Sequence, residues 1–130
     1  MDQLKKNKEL ILEYFNAISG VVKTPAIMNR YVDDHELLEH VTFFDTVLPR
    51  YELFADEITA EGNRVVVRAR LKATHEGAFK GIPPTHKKVE FAFAIGYEIE
   101  NNKIVRHWLI ADQMTFMEQI GIEVIEGTTV

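Results

Sequence analysis

Near Pro49 the hydrophobic period of the chain switches from helical spacing to two, and that change limits the folds open to it. Before Pro49 the apolar residues recur at helical spacing. Leu10, Ile11, Tyr14, Phe15 and Ile18 make one stripe between lysines and glutamates, with Asp2 as an expected N-cap and Gly20 as an expected stop. Thr24-Pro25 opens a second helix carrying Ile27, Met28 and Tyr31. A third is expected from about Glu36 to Val47, ended by Pro49.

Beyond Pro49 the period is two. Tyr51 to Ile58 reads as a strand, and Ala60-Glu61-Gly62-Asn63 as a turn. Arg64 to His75 alternates cleanly, with Val65, Val67, Ala69, Leu71, Ala73 and His75 on one face. Lys88 to Ile99 sets Val89, Phe91, Phe93, Ile95, Tyr97 and Ile99 against the small residues Ala92, Ala94 and Gly96. Asn101-Asn102 is a hairpin turn into Lys103 to Ala111, and a short helix with Met114, Met117 and Ile120 follows, capped by Gly121. Helices first and then a meander of long antiparallel strands indicate an α+β fold. Residues 1–130 read as one domain, with a tail over 122–130 that has no clear period.

Composition excludes several function classes. Apolar residues make up 46% and charged ones 27%, the balance of a globular domain rather than a disordered one. With no cysteine, disulfide and zinc-thiolate chemistry are impossible; a reducing cytoplasm is the expected location. The net charge of -5 gives no basic field for nucleic acid. The N-terminus does not read as a signal peptide, and no apolar run approaches a membrane span.

Four motifs invite chemistry. His35-Glu36-Leu37-Leu38-Glu39-His40 is one residue longer than a zinc-protease motif; on a helix its two histidines stand about 140° apart, too far to share an ion, and no metal site is expected. Glu36 and His40 are expected as a surface pair. Gly77-Ala78-Phe79-Lys80-Gly81 lies beside Pro83-Pro84 and reads as a loop; no phosphate-binding glycine motif and no serine elbow occur. In the last strand, alternation counted from Ile104 puts Trp108, Ile110 and Asp112 on one face and His107 on the other. Asp112 has two readings: N-cap of the following helix, or an acid entering a cavity, where desolvation would raise its pKa and suit it to proton transfer. His75, on the apolar face of its strand, reads either as a hydrogen-bonded core residue or as a partner for a substrate carbonyl or for Asp112.

Three stretches together resemble the SnoaL-like polyketide cyclases of the nuclear transport factor two-like superfamily. They are Thr74-His75-Glu76-Gly77-Ala78-Phe79-Lys80-Gly81-Ile82-Pro83-Pro84-Thr85, the strand entry Glu61-Gly62-Asn63-Arg64-Val65-Val66-Val67-Arg68, and Asn102-Lys103-Ile104-Val105-Arg106-His107-Trp108 followed by Asp112 and Gln119-Ile120-Gly121. The resemblance runs from about Tyr31 to Ile122. It implies a cone-shaped α+β barrel, a cystatin-like roll with a curved antiparallel sheet wrapped around the N-terminal helix. It also implies a pocket at one end and ring closure by an aldol step without cofactor or metal, with Asp112 at the acid/base position.

The expected site then has Asp112 and His75 as catalytic groups and Tyr14, His40, Phe79, Phe91, Phe93, Tyr97 and Trp108 around a small apolar molecule. A homodimer through the sheet face carrying Ala92, Ala94 and Gly96 is expected as well. Three functions fit: a cofactor-independent enzyme acting on an apolar carbonyl compound, a non-catalytic binding module, and a dimeric structural protein.

Overall fold

The computed structural model describes residues 2–122; the tail beyond Ile122 lies outside the described residues. The element order is α1 (Gln3–Ile18), α2 (Pro25–Tyr31), α3 (His35–Val47), β1 (Glu52–Glu61), β2 (Arg64–Thr74), β3 (Lys88–Glu100), β4 (Lys103–Ala111) and α4 (Gln113–Gln119). The strands form one antiparallel sheet in the order β1-β2-β3-β4, and the helices pack on its inner face. The α+β expectation holds. No helix is long and apolar enough to cross a membrane.

Local chemistry accounts for the helix ends. Asp2, Thr24, Asp34 and Asp112 are the four N-caps, each accepting a backbone N–H from three residues ahead. The predicted stripe on α1 is the buried one: Ile11, Tyr14, Phe15 and Ile18 are almost wholly inaccessible and pack on Val65, Val67, Ile95 and Ile104. Each such aliphatic or aromatic side chain stabilises the fold by about 1.5–3 kcal/mol on burial.

Two close approaches hold the frame. Glu76 and Gly77 donate their N–H groups to the Val47 carbonyl, tying the long β2–β3 loop to the end of α3. A Cβ at Gly77 would fall 1.8 Å from the Thr46 carbonyl oxygen, so only glycine fits there. On the outer face, a Cβ at Gly96 would meet the Trp108 indole at 2.1 Å. The small residue at this point of the sheet is thus matched by a side chain of the same molecule. Trp108, Ile110 and Val66 stay exposed on that outer face.

The last strand departs from strict alternation. Ile99 pairs with Ile104, but Glu98 pairs with Arg106, which leaves one extra residue at Val105. This bulge inverts the pattern beyond it. Ile104, His107, Leu109 and Ala111 face inward, and Trp108, Ile110 and Asp112 face outward.

Candidate active site

Between α1, α3, α4 and the sheet lies a cavity of about 420 Å³. Its floor is made by Tyr14 and Ile18 of α1, its wall by Leu37, His40, Val41 and Phe44 of α3, and its other side by Leu71, Phe91, Phe93, Ile95 and Tyr97 of the sheet. The α3 residues recur at helical spacing, so one stripe of that helix lines the space. Phe79, Phe116 and Met117 are buried members of the lining, while the exposed Phe43, Lys80 and Gln113 stand at the opening.

Few polar groups reach this apolar space. His40 is the one imidazole in the wall, tilted against Phe44 at 4.8 Å between ring centres. Burial, and then the neighbouring His107, push its pKa below the ordinary histidine value, so the ring is held neutral. Beside it, His107 Nδ1 lies 2.7 Å from Asp34 Oδ2, with both side chains mostly buried. The other Asp34 oxygen accepts the Leu37 N–H at 3.2 Å and so starts the helix that carries His40. A carboxylate, a histidine bonded to it and a second histidine on the cavity wall therefore stand together beside the cavity. Tyr14, also in the wall, feels the Asp34 charge.

Six of the expected lining residues are in this wall: Tyr14, His40, Phe79, Phe91, Phe93 and Tyr97. His40 is not the surface partner of Glu36. The exposed pair on α3 is His35 with Glu39, at 2.8 Å, one turn apart.

Three expectations need correction. Trp108 is 48% exposed on the outer face, because the Val105 bulge turns it away from the cavity. Asp112 follows it outward: Oδ1 accepts the Thr115 N–H at 3.1 Å and Oδ2 the Thr115 hydroxyl at 2.7 Å. Those two bonds hold its carboxyl below the ordinary aspartate value, the opposite of a desolvated acid. His75 is fully buried on the expected face, but beyond the cavity, where β2 has passed into the loop. Its Nδ1 accepts the Thr85 N–H at 3.3 Å and lies 2.9 Å from the Thr85 hydroxyl, and its Nε2 has no partner among the described residues. It braces the loop.

Sequence reasoning missed Asp34 and Tyr51, and without a bulge it leaves His107 on the face away from Asp112. Asp34 stands three residues before Leu37, an N-cap spacing open to reading. For His107 no signal was available, since the bulge that turns it inward leaves no mark in the residue types.

The model of the SnoaL-like polyketide cyclases matches residues 23–120. No curated protein matches the sequence. Among solved structures, AclR of Streptomyces galilaeus is 22% identical with a TM-score of 0.80, the match covering 92% of this chain and 98% of that one. A SnoaL-like protein of Jannaschia sp. CCS1 is 18% identical with a TM-score of 0.81, covering 95% and 98%. A SnoaL-like polyketide cyclase of Agrobacterium tumefaciens is 19% identical with a TM-score of 0.73, covering 93% and 100%. At these identities the structures share the fold alone. The family model, spanning three quarters of the sequence, carries the assignment: the chain belongs to the SnoaL-like polyketide cyclase family.

Proposed function

We propose that the protein performs cofactor-independent acid/base chemistry, of the cyclase or isomerase kind, on a small apolar carbonyl compound held in the cavity. The observation that carries this reading is one neutral imidazole, His40, in an otherwise apolar wall, with the Asp34–His107 pair beside it. A histidine held neutral accepts a proton from the carbon next to a carbonyl; the enolate then either takes the proton back elsewhere or attacks a second carbonyl to close a ring. Asp34 and His107 act as positioning residues, orienting α3 and the ring environment of His40. Asp112 has no part in the proton transfer on this reading and serves the fold as a cap.

The test is exchange of methyl hydrogens for deuterium in methyl naphthyl ketone, followed by NMR in D₂O. The protein should accelerate exchange, and His40→Gln should reduce the acceleration by about 10²–10⁴-fold, the usual worth of a positioned base. Asp112→Asn should leave it unchanged. An unchanged rate in His40→Gln would remove the assignment. Binding of the ketone without exchange would favour the binding module, for which the same cavity is the supporting observation.

A further inference from the structure

Three of the four tyrosines lie on the cavity. Tyr14 comes from the middle of α1, Tyr51 from the entry to β1 and Tyr97 from the inner face of β3. These residues are 1%, 5% and 3% exposed, yet none of their hydroxyls bonds to another group among the described residues, and none is sealed away from the cavity. The fourth tyrosine supplies the contrast: Tyr31 does not line the cavity, and its hydroxyl donates to Glu13 at 3.3 Å.

The rings are firmly placed. Tyr14 and Tyr97 meet edge to face, with centroids 6.1 Å apart and planes at 89°. Tyr51 is held from outside by Lys23, whose ammonium sits 3.8 Å above the ring and donates to the Tyr51 and Val21 carbonyls at 3.0 Å. Each hydroxyl opens on an apolar cavity and has no partner there among the described residues, so three such donors around one space suit a ligand atom that accepts from them.

We propose that Tyr14, Tyr51 and Tyr97 form a shared cradle for one neutral oxygen acceptor, so that the cavity takes an uncharged apolar molecule with its polarity concentrated at one ketone, aldehyde or enol oxygen. The inference rests on the reading of the cavity as a ligand pocket. Burial pushes all three phenols upward, and Tyr14 further opposes ionisation of the other two, so each remains an O–H donor. Among the described residues lining the cavity, the basic ones are Lys80, at the opening, and His40, which is held neutral. A carboxylate would lose its water there and gain no counter-charge, which disfavours acids of the same shape. Three donors around one oxygen would also stabilise the negative charge that an enolate places on it.

The test compares three probes by titration calorimetry: methyl naphthyl ketone, ethylnaphthalene, which has the shape without the oxygen, and naphthoate, which has the charge. The wild type should hold the ketone about tenfold more tightly than ethylnaphthalene, the scale of one well-made hydrogen bond, and naphthoate more weakly than either. In the triple variant Tyr14→Phe, Tyr51→Phe, Tyr97→Phe the preference should vanish while ethylnaphthalene affinity stays the same. The infrared carbonyl band of the bound ketone, shifted to lower frequency in the wild type, should return toward its value in hexane. The ligand-free variant should be at least as stable to heat, since it loses no internal bond. Equal binding of ketone and ethylnaphthalene by the wild type would overturn the cradle and leave the pocket standing. Naphthoate binding as tightly as the ketone would overturn the assignment to uncharged molecules. Failure of all three probes to bind would overturn the cradle and the pocket together.

Discussion

Asp34 begins α3 and Asp112 begins α4. Each gives one oxygen to the backbone N–H three residues ahead, at 3.2 Å and 3.1 Å. The second oxygens part ways. That of Asp112 is taken by Thr115 within its own turn, and the group is exposed. That of Asp34 reaches His107, 73 residues away, and both side chains are mostly enclosed. The local motif is the same; the surroundings decide whether a cap is only a cap or also ties a helix to the sheet beside a cavity. Asp112, which the resemblance puts at the acid/base position, is the one facing away from the cavity.

The largest test of this difference is stability. Asp34→Ala removes a cap and a charge-assisted bond and leaves the His107 ring nitrogen without its partner, a loss of about 3 kcal/mol. Asp112→Ala removes an exposed cap and should cost clearly less. Urea unfolding of both variants measures the contrast; equal losses would mean that the Asp34–His107 bond adds nothing.

A second, smaller effect concerns His40, which stands in the Asp34 region and has no counterpart near Asp112. Its pKa is depressed, by burial first and by His107 second. Between that folded value and the ordinary ~6.5, the unfolded chain binds more protons than the folded one. His40 therefore leaves stability intact above about 6.5 and reduces it as the pH falls through that window toward the folded value. Imidazole NMR should find the His40 midpoint below the ordinary one, and His107→Gln should move it part of the way back. A midpoint at or above the ordinary value would break the link between cavity and pair.

The smallest effect is at Asp112. Carboxyl-carbon NMR should place its midpoint below that of a free aspartate, with Thr115→Val raising it, because the Thr115 hydroxyl is the larger cause. The stability that comes with this depression is present above about 3.9 and is lost only as the pH falls through the lower folded value. A midpoint near neutrality would return Asp112 to the role of a buried acid.

Most of the frame was legible in the residues. The α1 stripe, the Thr24-Pro25 helix start, both hairpin turns and the long alternating strands stand where their periods put them, with ends displaced by at most a few residues. Counting by twos was reliable for β2 and β3, whose registers run without a break over their full pairing. It fails in β4, where one extra residue at Val105 exchanges the two faces and turns His107 inward and Trp108 outward. His75 shows a different limit: its face was right, but where a cavity ends along a strand depends on what packs above it. The three cavity tyrosines come from elements far apart in sequence, and no spacing rule connects them.

The position of Trp108 has a spectroscopic consequence. It is the only indole in the chain, and it lies across Gly96 on the side of the sheet opposite the cavity. Light absorbed by that ring reports on the exterior. Its emission should follow whatever covers the outer face as protein concentration rises, and should stay steady as the interior fills. The molecule thus carries one optical channel for its outside, separate from the tyrosine absorbance that watches its inside.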